Sequence, residues 1–508
     1  MNSTTRNDDE LAHIRAVIDQ GPFEATWESL REYGVPTWYL DAKLGIFIHW
    51  GVYSVPGFGN EWYARNMYRQ GTPSFNHHVE TYGPPSAFGY KDFIPDFTMK
   101  DFDPPEWARL FYQAGAQFVV PVAEHHDGFA LYDEPRTEWK TTTMGPGRDI
   151  FGDLADAVRR RGMTVGASSH RAEHWFYMGG GNRFDSDVRD PRYVDFYGPA
   201  MREETDPNEE FLEDWLIRTT HIIDRYRPQV LWFDWWIERP AFKPYLKLLA
   251  AYYYNRAAEW GRSVVINYKF DAFAEGTAVF DVERGAQTGI REDVWQNDTS
   301  VSRNSWSSVS DQDYKSPKDV VDELVDVVSK NGVLLLNIGP NADGTIPGEQ
   351  RRILEGLGAW LAVNGEAIYG TRPWKVFGEG PTRVQGGSFT DSTALGLTHE
   401  DIRFTCRELP DQSYLYATTT VWPPDGVLRI KSLGRASGLS DEDVLGVGVL
   451  GAGRAGDFDT ADEAPFEISD GELAVVLPET RTTEHGVSVR IVLGDKKKEV
   501  RRSDYLHG

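Results

Sequence analysis

Between about Ala42 and Gly365, short apolar runs alternate with longer segments of helical period. The runs are Leu44–His49, Gln117–Ala123, Thr164–Ser168, Val230–Trp235, Val264–Tyr268, Ala278–Val282, Val294–Asp298 and Val333–Ile338. Such alternation predicts βαβ units on a parallel sheet, and eight runs suggest a closed barrel of (β/α)8 type. Helices are expected over Glu106–Ala114, Ile150–Arg161, Phe211–Tyr226, Tyr245–Trp260, Lys318–Ser329 and Gly348–Val363. There are fewer helices than strands, which implies irregular crossovers late in the barrel. An open doubly wound sheet gives a similar pattern, but no G-x-G-x-x-G follows the first run, so nothing supports a dinucleotide fold.

Beyond about Gly370 the helical periods stop. Tyr414–Thr418, Val427–Ile430, Leu473–Val476 and Val487–Val492 lie between Gly, Pro and Asp clusters, as in an antiparallel β-sandwich. The α/β reading is therefore a helical lead-in at 1–37, a barrel at 38–370, a C-terminal antiparallel β-sandwich domain at 371–496 that braces the barrel, and a charged tail at 497–508. The net charge of −25, from 53 basic against 78 acidic residues, argues against nucleic acid and anionic lipid as partners and leaves neutral molecules such as sugars. One cysteine, Cys406, allows neither an intramolecular disulfide nor a Cys-based zinc site. The N-terminus lacks the basic start and apolar run of a secretory signal, and no window of about 18 apolar residues occurs. The chain as given reads as cytoplasmic, with secretion open if a signal has been removed.

In a parallel barrel, chemistry sits where the strands end at their C-terminal side. GIFIHWG places His49 and Trp50 there, FVVPVAEHHDGF places Glu124, His125, His126 and Asp127, VLWFDWW places Asp234 among aromatic residues, and VFDVERG offers Asp281, Glu283 and Arg284. A carboxylate among rings is costly unless it is hydrogen-bonded. Asp234 is thus either a satisfied strand-end cap or one of the two carboxylates that glycoside cleavage requires, with rings as walls for sugar C–H faces. His125 and His126 could form a metal pair, a hydrogen-bonding pocket or a loop start. Neighbours on an extended strand point to opposite sides, and no zinc spacing accompanies them, so hydrogen bonds from neutral imidazoles to sugar hydroxyls are the better reading and no metal is expected. Glu283 could instead be a strand-end ion pair with Arg284 or another arginine.

Several segments resemble the α-L-fucosidases of glycoside hydrolase family 29: WYLDAKLGIFIHWGVYSVP with NEWYARNMY, VVPVAEHHDGFALYDE, DVERG with VWQNDTSVSRNSW, and LLLNIGPNADGTIPGEQRRILEGLGAWLAVNGEAIYGTRPW. The resemblance implies Asp234 as nucleophile and Glu283 as acid/base, with Glu275, Glu292 and Asp281 as rivals for the latter. It also implies His49, His125 and His126 in the fucose pocket and Glu61 with Trp62 on sugar hydroxyls. SSHRAEHWFY adds His170, Glu173 and Trp175 as pocket candidates. Two departures stand out: Trp235 and Trp236 follow the nucleophile where relatives carry a small residue, and Lys269 in INYKF stands where they commonly carry Arg. The implied function is a retaining exo-α-L-fucosidase acting without a cofactor on fucosylated oligosaccharides or glycoconjugates, with L-galactoside cleavage as a side activity. The rival functions are a barrel glycosidase for another sugar such as L-galactose and a non-catalytic fucose-binding protein.

Overall fold

The computed structural model describes residues 3–452 and 462–494; the tail expected at 497–508 lies outside them. Strands β1 (Leu44–Ile48), β2 (Phe118–Glu124), β3 (Thr164–Ser169), β4 (Val230–Phe233), β5 (Val265–Tyr268), β6 (Val279–Asp281), β7 (Trp295–Ser300) and β8 (Gly332–Ile338) close into a parallel barrel in chain order. β8 pairs back onto β1. The fourth strand stops at Phe233, two residues before the expected end. The Asp234 carboxylate accepts the Trp235 N–H at 2.8 Å, and Trp236 adopts a φ of 75°, which breaks the extended run. Asp234 thereby stands on the barrel's rim.

Alternate strand residues divide the packing. Phe47, Phe118, Val120, Val230, Trp232, Val265 and Leu335 fill the interior, whereas Ile46, Val119, Val165, Leu231, Ile266 and Leu336 join the core outside it, against the helices. At Gly45 a side chain would begin 2.3 Å from the Phe118 ring, so the interior layer admits only glycine there. Tyr39, on the approach to β1, plugs the barrel base: its hydroxyl donates to Gln296 Oε1 at 2.8 Å and accepts from Asn267 Nδ2 at 3.1 Å.

The main helices are α1 (Ser3–Gln20), α2 (Pro73–Tyr82), α3 (Pro104–Gln113), α4 (Ile150–Arg160), α5 (Glu209–Tyr226), α6 (Lys243–Glu259), α7 (Pro317–Ser329) and α8 (Gly348–Asn364). Helices α3 and α7 start earlier than the apolar period alone suggests, because each opens on a proline preceded by a capping side chain, Asp103 or Ser316. No helix joins β5 to β6 or β6 to β7. Helix α2 escapes the apolar pattern because its buried face is made by Ser74 and His78.

In the C-terminal domain, β9 (Arg372–Glu379), β10 (Ile402–Glu408), β11 (Gln412–Thr419), β12 (Val427–Ile430), β13 (Val444–Val449), β14 (Asp462–Glu463), β15 (Phe466–Ile468), β16 (Leu473–Val476) and β17 (Val487–Gly494) form two antiparallel sheets. Their orders are β14-β13-β17-β11-β10-β9 and β12-β16-β15. Phe404, Leu415 and Ile491 of the larger sheet share one core with Leu428, Ile430 and Leu473 of the smaller. The domain docks on the barrel through buried polar contacts: Arg403 Nε donates to Asp326 of α7 at 2.7 Å, and Ser488 N to Asn364 of α8 at 2.9 Å. The β9–β10 connection returns to the barrel rim, where Asp391 accepts from Lys315 at 2.9 Å, Thr299 at 2.7 Å and Arg284 at 3.1 Å.

Candidate active site

A cavity of about 700 Å³ opens at the C-terminal ends of the strands. At its floor, Lys269 follows β5 and bridges two carboxylates, with its ammonium 3.2 Å from Asp234 Oδ1 and 2.5 Å from Glu283 Oε2. Asp298 of β7 lies 3.5 Å from the same nitrogen, which also sits 4.7 Å from the centre of the Trp232 ring. Lys269 therefore occupies the centre of an acidic cluster. Burial works against its charge, but Asp234, Asp298 and Glu283 together hold it protonated.

The two lysine-bound carboxyls are driven apart. For Asp234, burial opposes ionisation but is outweighed by the Lys269 ammonium and by His170 and His126, so its carboxyl is held well below the usual carboxylate range. His170 Nδ1 is 3.1 Å and His126 Nε2 3.5 Å from Asp234 Oδ2. For Glu283, burial, reinforced by the Asp298 and Asp234 charges, outweighs Lys269 and pushes the carboxyl up to about 7. One group is thus an anion at neutral pH while its neighbour still holds a proton for much of that range.

The segment carrying Glu283 is held by its backbone. Arg284 N donates to Asp298 O at 2.7 Å, and Glu283 O accepts from Phe389 N at 2.9 Å. The Arg284 guanidinium turns to Asp391 and to the Ser302 carbonyl, at 3.1 and 2.6 Å, so the partner of Glu283 is Lys269 and not an arginine. Of the rivals, Glu275 and Glu292 are exposed and stand off the cavity. Asp281 is buried within β6, where it accepts from Trp232 Nε1 at 2.9 Å and from Gln296.

The three expected histidines all line the cavity. Asn337 Oδ1 accepts from both His49 N and His49 Nδ1, at 3.0 and 2.8 Å, while its amide nitrogen donates to the Trp306 carbonyl at 2.7 Å. That fixes the proton of His49 on Nδ1 and leaves Nε2 as an acceptor. His125 and His126 lie just past the end of β2 rather than within it, so both reach the cavity, with ring centres 4.1 Å apart. Burial, together with the neighbouring imidazoles, keeps His125 neutral, and its Nδ1 has no hydrogen-bond partner. His126 is different: burial disfavours its charge, but Glu173, 3.2 Å from Nδ1, together with Asp234 raises it to about 9.

The ring nitrogens of His49, His125 and His170 lie within 4.8 Å of one another, as do ligand atoms of His126, His170 and Asp234. The linear spacing of the histidines does not show these groupings. His170 already contacts Asp234 and, at 3.2 Å, Ser168 Oγ, and His49 Nδ1 is bound to Asn337, so a cation here would compete with existing hydrogen bonds.

Glu61 Oε2 accepts from Trp306 N at 3.0 Å, and the Trp62 ring packs near His126 and Trp235, with centres 5.3 and 6.5 Å away. Both residues line the cavity, as do Lys269 and Trp235. Trp175 is not brought there. Its indole lies against Phe211 and donates to Thr205 at 3.1 Å, because the short helical turns after β3 rotate it away from the rim. From the same segment, His170 and Glu173 act beneath the cavity on Asp234 and His126. Glu124 and Asp127 are structural, the first bound by Arg171 at 2.5 Å and the second by Tyr90 at 2.7 Å. Asp298 lies inside β7 and not at a strand end, so the strand-end pattern does not single it out. The available signal was the unbroken polar run Gln296–Ser300 in a strand that is wholly buried.

The alpha-L-fucosidase family model matches residues 10–366. The chain belongs to the alpha-L-fucosidase family. This places it among glycoside hydrolases. Rat tissue alpha-L-fucosidase is 31% identical over 414 residues, covering 80% of each chain. Human plasma alpha-L-fucosidase is 31% identical over 433 residues, covering 84% of this chain and 85% of the relative. The crystal structure of Thermotoga maritima alpha-fucosidase in complex with fucose superposes with a TM-score of 0.71 at 31% identity, covering 92% of this fucosidase-family chain and all of that one. The same enzyme with a mechanism-based inhibitor gives 0.72. Among the described residues of this family member, no helix is long and apolar enough to cross a membrane.

Proposed function

We propose that this chain is a retaining exo-α-L-fucosidase in which Asp234 is the nucleophile and Glu283 the acid/base. The observation that carries this reading is the shared ammonium of Lys269. Two carboxyl oxygens bound to one nitrogen stand less than about 6 Å apart, which supports the ~5–5.5 Å spacing of retaining enzymes over the ~6.5–9.5 Å of inverting ones. Asp234 attacks the anomeric carbon as Glu283 gives its proton to the leaving oxygen, and a β-fucosyl ester forms. Glu283, now ionised, takes a proton from water, which attacks the same carbon and frees Asp234. His49 Nε2, His125 and the Glu61 carboxylate hydrogen-bond the sugar hydroxyls, and the tryptophan rings meet its apolar face. Substrates are fucosylated oligosaccharides or glycoconjugates.

The test is the anomer first released from 4-nitrophenyl α-L-fucoside, followed by proton NMR before mutarotation. α-L-Fucose is expected; β-L-fucose would exclude the covalent route. A panel of nitrophenyl glycosides, including the α-L-galactoside, separates fucose from rival sugars.

Because the proton of Glu283 is needed in the free enzyme and is lost near pH 7, kcat/KM is expected to fall as pH rises through about 7. In Glu283→Ala, assayed on α-L-fucosyl fluoride, whose leaving group needs no acid, this limb is expected to vanish. A limb retained at the same pH would assign the titration to another group. Trp175→Phe keeps the ring on Phe211 but loses the bond to Thr205. It is expected to lower stability by about 1 kcal/mol in urea unfolding while changing kcat/KM on fucosides by less than about threefold.

A further inference from the structure

Two large apolar side chains on the cavity rim are left in water. Phe270 is 59% and Phe389 64% exposed, and among the described residues neither ring packs on another aromatic ring or on a cation. Exposed phenylalanines are uncommon in this protein, where most aromatic rings are paired and buried. Both residues also hold left-handed backbone angles, φ 55° and 57°, which disfavour a side chain of this size. Exposure and strain together are unfavourable for folding.

Their positions tie them to the reaction centre. Phe270 directly follows Lys269. Phe389 reaches the rim on the β9–β10 connection, which is fastened to the acid/base segment: Phe389 N donates to Glu283 O at 2.9 Å, Ala286 and Gly387 exchange backbone hydrogen bonds at 3.1 and 2.9 Å, and Asp391 receives Arg284. On the proposed mechanism, the group attached to the leaving oxygen departs past Glu283. A ring anchored to the carbonyl of Glu283 itself therefore borders the space that group must occupy.

We infer that Phe270 and Phe389 form a binding site for the aglycone, an aromatic platform for a hexopyranose joined to the fucose, taken through its apolar C–H face. This rests on the fucosidase reading above. Stacking on a ring demands an apolar face rather than a fixed pattern of hydroxyls, so the platform selects fucosyl-hexoses over substrates without a sugar aglycone. It also gives the C-terminal domain a part in specificity, because the connection carrying Phe389 leaves from and returns to that domain's larger sheet.

The test compares Phe270→Ala, Phe389→Ala and Phe389→Gly with wild type on two substrates: the fucosyl-hexose disaccharide that wild type cleaves best, from a panel of linkages to galactose and N-acetylglucosamine, and α-L-fucosyl fluoride. The ratio of kcat/KM for disaccharide over fluoride is expected to fall at least about tenfold in each variant, mostly through KM. Phe389→Gly, which relieves the left-handed strain, is expected to keep or raise the melting temperature. Equal losses on both substrates, an unchanged ratio, or a lowered melting temperature that accounts for the loss would assign these rings to structure and overturn the proposal. Wild-type turnover of fucosyl fluoride without any ratio change defeats the platform alone, whereas a wild type inert on every fucoside defeats the fucosidase reading and the platform with it.

Discussion

Asp234→Gly is expected to lower kcat on 4-nitrophenyl α-L-fucoside by roughly 10^4-fold, as removal of a covalent nucleophile does elsewhere. The residual protein stays folded, because Asp234 lies on the rim and its partners keep others: Lys269 still has Glu283 and Asp298, and His126 still has Glu173. Added azide is expected to enter the space vacated by the carboxylate and restore turnover, giving β-L-fucosyl azide. A loss of less than about tenfold would remove Asp234 from the covalent step. Rescue that yields the α-azide would mean that the azide enters from the opposite face and that Asp234 is the acid/base.

Glu283→Ala is expected to separate substrates by their leaving groups. On fucosylated oligosaccharides, whose alcohol leaving groups need a proton, kcat/KM is expected to fall by about 10^2–10^4. On fucosyl fluoride the first step survives, water attack becomes limiting, and both kcat and KM fall as the fucosyl-enzyme accumulates. Azide, which needs no base, is expected to restore turnover as α-L-fucosyl azide. The same loss on both substrates would point to a positional role for Glu283. Recovery of neither would return Asp281 to consideration and bring in Asp298, since both are buried carboxyls within the cluster around Lys269.

Much of this arrangement was legible in the chain. Most of the barrel's strands are legible because they are short, mainly apolar runs, β7 with its polar Gln296–Ser300 being the exception, and the site is sought where those runs end: His49, His125, His126, Asp234 and Glu283 all stand at or just past a strand terminus. What remained hidden has physical reasons. The orientation of Trp175 is hidden because spacing along a loop does not orient an indole. Helix α2 buries a serine and a histidine, which hydrophobic periodicity cannot register. Asp298 sits in the middle of a polar strand, where burial is decided by the barrel closing around it. Lys269 falls at a strand end, but its position between two carboxyls depends on β5 lying between β4 and β6. Phe389 belongs to a connection of the C-terminal domain, and no local pattern ties it to Glu283.

The central claim is that Asp234 forms a covalent bond to fucose. Its most direct test is to incubate wild type with 2-deoxy-2-fluoro-α-L-fucosyl fluoride, which slows release of the intermediate, and to locate the added mass by peptide sequencing. One fluorofucosyl group per chain, on the Asp234 carboxylate, is the expected result. A label on another residue, or steady turnover of α-fucosides to β-L-fucose with no label at all, would contradict it.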